Sequence, residues 1–141
     1  MTEANSPAAR LAAFGILVGE WEFAGDITGH TRFEWLPGGH FLQQRGSLTR
    51  DGSTHEVVEI IGAYKPFGAT EPARQITSRA YTDTGETLDY THELDGAVLT
   101  VWGGPKGSPA FSRAEFNADR TKLAGAWQWP GGGYAFVMAK R

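Results

Sequence analysis

Leu123-Ala124-Gly125-Ala126-Trp127-Gln128-Trp129, then Pro130-Gly131-Gly132-Gly133, then Tyr134-Ala135-Phe136-Val137-Met138, is the stretch on which the fold turns. Two alternating runs flank a block of turn residues. A period of two marks a half-buried strand, and proline with glycine marks the bend between two of them. A four-residue Pro130–Gly133 loop pairs Trp129 with Tyr134 and Trp127 with Phe136. That face also carries Leu123, Gly125 and Met138, against Ala, Gln and Val on the other. The aromatic face therefore reads as inward. A phosphate loop would need a lysine and a following helix. Neither is present, and a hairpin accounts for the glycines.

The same texture runs back to Glu20. Strand candidates fall at 20–25, 30–36, 40–49, 54–64, 74–82, 87–94, 97–102, 111–117, 122–129 and 134–140. Between them stand Thr28-Gly29, Pro37-Gly38-Gly39, Asp51-Gly52, Thr84-Gly85, Asp95-Gly96 and Asn117 to Thr121. Asp-Gly between alternating runs is a strong hairpin signal. Two connections are longer, Lys65 to Ala73 and Gly103 to Ala110. No helix-length pattern separates the strands, so parallel crossover units are excluded. Consecutive hairpins imply an up-and-down meander, which curls closed to remove its edges. The expected fold is an all-β, antiparallel up-and-down barrel of about ten strands, with a Greek-key sandwich as the alternative. Ahead of it, Ser6-Pro7 has the form of a helix start, Leu11, Phe14, Leu17 and Val18 recur at helical spacing, and Gly19 ends the run. Residues 1–6 read as a loose tail and 7–141 as one domain.

Composition narrows function. The 141 residues are 40% hydrophobic and 21% charged, which suits a packed domain. Net charge is -3 and the pI about 5.8, with no basic stripe, which argues against nucleic acid as a partner. Cysteine is absent, which removes disulfides, thiolate metal sites and cysteine nucleophiles. The apolar run Leu11 to Val18 is too short to span a bilayer, and its flanks lack the charge and cleavage site of a signal peptide. A cytoplasmic location and no membrane partner are expected.

Gly19-Glu20-Trp21 after a short helix resembles the Gly-x-Trp opening of lipocalin-type barrels. Phe33-Glu34-Trp35-Leu36 with Gly38-Gly39-His40-Phe41-Leu42, Ile60-Ile61-Gly62-Ala63-Tyr64, Tyr81-Thr82-Asp83-Thr84-Gly85 and Leu123-Ala124-Gly125-Ala126-Trp127 resemble the family of unknown function DUF1579. The resemblance spans roughly residues 11 to 141. It implies a lipocalin-like (calycin) barrel with an interior cavity and no established family-wide activity. Related nitrobindin-like proteins bind haem through a histidine late in the barrel. Here the last histidine is His92, so the resemblance implies no haem, and no cofactor is expected.

In a small barrel, alternate residues fill the interior, and hairpin arithmetic carries that parity from strand to strand. Trp21, Phe23, Phe33 and Trp35 face inward, with Trp21 sealing the floor. A two-residue Thr84-Gly85 turn sets Tyr81 opposite Leu88, Arg79 opposite Tyr90 and Thr77 opposite His92. The Asp95-Gly96 turn adds Leu99 and Val101. The Asn117–Thr121 loop puts Phe111 and Arg113 beside Trp127. For residues 40–64, the face with Phe41, Gln43, Arg45, Glu56, Val58, Ile60 and Tyr64 is favoured as inward for its bulkier apolar content. The alternative is the face with Leu42, Gln44, His55, Val57, Glu59 and Ile61.

The resulting ligand-binding candidates are Trp35, Gln43, Arg45, Val58, Arg79, Tyr81, Tyr90, His92, Phe111, Arg113, Trp127, Trp129 and Tyr134. Arg45, Arg79 and Arg113 with the aromatics would form a cationic, aromatic mouth, and the Gly103–Ala110 loop a lid. Arginine forks suit a carboxylate or phosphate, although Glu56, Asp89 or Glu115 could equally pair with them. The four histidines lack metal-ligand spacing, so no metal is expected. The first functional reading is a barrel that binds an apolar or aromatic small molecule, anionic if the arginines touch it. The alternative is a cofactor-independent isomerase, cyclase or hydrolase, with Tyr90, His92 and Arg79 as catalytic candidates. A third is a protein–protein module that forms a homodimer through the outer face or an edge.

Overall fold

A computed structural model describes residues 7–141. The expected tail, residues 1–6, and the Ser6 cap lie outside the described residues. Ten strands follow a short N-terminal helix: β1 (Gly19–Gly25), β2 (Thr28–Trp35), β3 (Phe41–Arg50), β4 (Ser53–Ala63), β5 (Ile76–Thr82), β6 (Thr87–Asp95), β7 (Val98–Trp102), β8 (Phe111–Phe116), β9 (Lys122–Trp129) and β10 (Gly132–Lys140). Each pairs antiparallel with its sequence neighbours, and β1 pairs with β10, from Trp21↔Lys140 to Gly25↔Phe136. The sheet is therefore a closed up-and-down barrel with no free edge.

The helix is shorter than its periodicity predicts. α1 (Pro7–Ala13) passes into a 3₁₀ turn at Phe14–Leu17, and no glycine cap ends it. Val18 N donates to Gly15 O at 3.0 Å, and the Trp21 indole N–H donates to Leu17 O at 2.8 Å. Trp21 thus satisfies a carbonyl that the helix end leaves open. Trp21 itself has no exposed surface. Leu11, Phe14 and Leu17 are buried with it in the core, so this segment plugs one end of the barrel.

Three hairpins depart from the expected register, and two of the departures, each by one residue, turn side chains over. The β5–β6 connection has three loop residues, Asp83 to Gly85, not two. Thr82 N bonds Glu86 O, and Gly85 sits at φ 88°. This is a turn followed by a left-handed residue, the usual three-residue solution. Ser78 therefore faces Tyr90, and Arg79 and Tyr81 move to the outer wall. At the β8–β9 loop, Asn117 N bonds Lys122 O and Arg120 takes φ 62°. Phe116 then pairs with Leu123, and Phe111 and Arg113 also turn outward. The β9–β10 loop is the tight pair Pro130-Gly131, which sets Trp129 opposite Gly132 and Trp127 opposite Tyr134. That shift is by two residues, so the inward face stays as expected.

The β3–β4 hairpin closes on Asp51-Gly52, both at positive φ (52° and 78°), with Arg50 opposite Ser53. This is the two-residue turn expected. The favoured face is nevertheless the wrong one. Leu42 and Ile61 are buried to 0% and 1% exposure, and Glu59 to 6%, whereas Phe41 is 42% exposed. Gln43, Arg45 and Val58 accordingly lie on the outside.

Candidate functional site

Ten strands make a wider ring than the eight whose side chains just fill a barrel. Here the interior keeps a cavity of about 400 Å³. Phe23, Phe33, Leu48, Val57, Ile61, Leu99, Val101, Phe136 and Met138 supply most of its wall. The 3₁₀ turn closes one end through Leu17. The other end carries Arg50, Leu88 and Trp129, and Leu88 there is 40% exposed. The mouth is thus the end bearing the β3–β4 and β9–β10 turns.

A chain of polar side chains crosses the inner wall from β2 to β6. Thr31 Oγ1 donates to Gln44 Oε1 at 2.9 Å, and Gln44 Nε2 donates to Glu59 Oε1 at 2.5 Å. Ser78 Oγ donates to Glu59 Oε2 at 2.5 Å and lies 2.8 Å from His92 Nε2. His92 Nε2 is also 3.4 Å from Glu59 Oε2. A hydroxyl has one proton, and Ser78 gives its own to Glu59. His92 Nε2 must therefore carry a proton and donate it. Burial pushes the Glu59 carboxyl up. The hydrogen bond and charge of His92, with the hydrogen bonds of Ser78 and Gln44, outweigh that, and its pKa lies below the ordinary value. The arrangement holds an ionised carboxylate inside an apolar barrel, with both oxygens occupied.

Other polar ends in the cavity have no hydrogen-bond partner among the described residues. Tyr90 packs against Trp127, ring centroids 5.8 Å apart, and against His92 at 6.4 Å. Burial pushes its hydroxyl up to about 12, with the charges of Glu59 and Tyr134 adding to the shift. It stays a donor at all ordinary pH. Tyr134 is raised as well, by burial, with Arg50 opposing. Phenol and indole groups in apolar surroundings leave donors to be used.

Of the residues expected from sequence, Tyr90, His92, Trp127, Trp129 and Tyr134 line the cavity. Trp35 shares the inward face, opposite Leu42, but packs at the plugged end near Gly15 and does not reach the cavity wall. Gln43, Arg45 and Val58 sit on the outer wall because the opposite face of β3 and β4 is the inner one, and Arg79, Tyr81, Phe111 and Arg113 sit there because their hairpins shifted by one residue. Arg79, a catalytic candidate, forks onto Asp89 there at 2.7 and 3.1 Å. His55 has inward parity but lies at the rim, 3.1 Å from Asp83. The anticipated ring of three arginines is replaced by one cation, Arg50. Gln44, Arg50, Glu59 and Ser78 are absent from the expected set. The signal for two of them was the other face of residues 40–64.

The Gly103–Ala110 loop is not a lid. It folds back along the outside, where Thr91 Oγ1 donates to Gly104 O at 2.7 Å and Lys106 Nζ meets Glu93 at 2.6 Å. Among the described residues, no group of three or more His, Asp or Glu is placed to hold a metal ion. No protein-family model matches the chain, and no curated protein matches it either. The DUF1579 resemblance therefore rests on the short stretches quoted above.

Proposed function

We propose that the barrel binds one apolar or aromatic small molecule in its interior. The observation that carries this is the cavity of about 400 Å³, apolar over most of its wall, with a few convergent polar groups. Ligand sites commonly have that size and that mixture. Tyr90, Tyr134 and Trp127 offer donors that no partner among the described residues takes up. The DUF1579-like stretches fit the same reading, since that resemblance implies an enclosed interior.

The polar cluster favours binding over hydrolysis. Ser78, His92 and Glu59 have the composition of a nucleophilic triad but the wrong sense. A serine nucleophile must give its proton to histidine, whereas the Ser78 hydroxyl donates to Glu59. Glu59, ionised and saturated with donors, is also a weak base. The cluster instead fixes the floor of the cavity against which a ligand would rest.

The test is native mass spectrometry of the full chain as purified, followed by denaturing extraction. A low-mass species released in equimolar amount, whose return raises Tm by mass action, supports the reading. A chain that carries nothing and gains no stability from any apolar or aromatic compound in a broad panel refutes it.

A further inference from the structure

Resting on that reading, we infer that the ligand is an amphipathic anion, which enters apolar end first and leaves its anionic group on Arg50 at the mouth. Among the described residues that line the cavity, Arg50 is the one with a permanent positive charge. Its guanidinium carbon lies 4.4 Å from the ring centre of Tyr134 and 5.5 Å from that of Trp129. The two rings hold the fork by cation–π attraction without using its N–H groups. Its ion-pair contact among the described residues is Asp51, 3.9 Å away and 85% exposed, beyond hydrogen-bond reach. The other arginines at this level differ: Arg79 is spent on Asp89, and Arg45 and Arg113 face outward.

The floor fixes the direction. Glu59 is a carboxylate whose oxygens already accept from Gln44 and Ser78, with His92 Nε2 3.4 Å away. A second anion there would meet like charge in an apolar surrounding, where screening is weak. At the mouth the same group meets an oriented guanidinium with five donors, the geometry that suits carboxylate, sulfonate or phosphate. The chemistry does not separate these three head groups, and the site is assigned to the class.

A matched pair of dyes tests this on the full chain: anilinonaphthalene sulfonate and N-phenylnaphthylamine, the same ring system without the sulfonate. The sulfonate should bind wild type about tenfold more tightly, the scale of one charge-assisted contact at a partly exposed site. Arg50→Gln should remove that preference and leave the neutral dye within about twofold of wild type, while Arg50→Lys restores part of it. Arg45→Gln, on the outer wall, should change neither. Rising salt should weaken the sulfonate alone, a readout that needs no variant. Equal affinities in wild type, or a preference that survives Arg50→Gln, overturns the inference while the cavity reading stands. Failure of both dyes to bind overturns this inference, while the cavity reading is decided by the compound panel described above.

Discussion

His92 Nε2 and Glu59 Oε2 lie 3.4 Å apart inside the barrel, on strands β6 and β4 that are not neighbours, with Ser78 of β5 bridging them. Three consecutive strands thus converge on one carboxylate. Breaking a buried pair by removing one partner is far more costly than its net contribution suggests, because the remaining polar groups lose their acceptor. Glu59→Ala should therefore destabilise the chain by about 3 kcal/mol, read from denaturant midpoints. A loss under about 1 kcal/mol would show that water satisfies the cluster as well as the carboxylate does.

The same carboxylate gives a pH dependence. Its folded pKa lies below its unfolded value, so the ionised form is favoured in the folded chain. That contribution is full above the unfolded value of roughly 4.3 and is lost as pH falls through the folded value. Stability measured from pH 7 down to 3 should fall more steeply for wild type than for Glu59→Gln. The exposed carboxyls of Asp83, Asp89 and Asp119 are also lowered, but they are common to both proteins and cancel in the difference. Parallel curves would contradict the assignment of an ionised Glu59.

Ala80 and Val101 both line the cavity, Val101 in register with His92. Replacing both with phenylalanine fills much of the cavity from one side, on the strands that flank β6. Affinity for N-phenylnaphthylamine should drop by about tenfold or more, while the far-ultraviolet circular dichroism of the barrel is kept. Unchanged affinity would place the dye elsewhere.

Two glycines should respond differently to alanine. A Cβ at Gly125 would lie 2.1 Å from Arg113 O and 2.5 Å from the Ala114 Cα, both backbone. A Cβ at Gly52 meets nothing within 4 Å and suffers only from its φ of 78°. Thermal melts should show Gly125→Ala costing about 3 kcal/mol and Gly52→Ala about 1 kcal/mol. The reverse order would contradict the β8–β9 register.

Most of the barrel could be read from the sequence, because alternation and turn residues are local signals. The strands, the meander and the aromatic face of Trp127 and Tyr134 follow from them. The site was legible only in part, for two physical reasons. A hairpin loop with one more or one fewer residue than expected flips every side chain beyond it, and this is what moved Arg79, Tyr81, Phe111 and Arg113 outside. In addition, bulk was a poor guide on β3 and β4. The inner face there holds Gln44 and Glu59 because neighbouring strands supply their partners, and partners from β2, β5 and β6 cannot be seen in a window of ten residues. Val58 and Ile60 are half-buried on the outside by their cross-strand neighbours, which is enough to favour β-branched residues there.

Occupancy of the interior by a ligand is reported directly by alanine and methionine methyl resonances. Ala80, Ala114 and Met138 face the cavity, whereas Ala124 and Ala135 are exposed on the outer wall. Titration of methyl-labelled protein with N-phenylnaphthylamine, followed by proton–carbon correlation spectra, should shift the first three and leave the last two in place. Shifts confined to Ala124 and Ala135, or none at saturating dye, would contradict it.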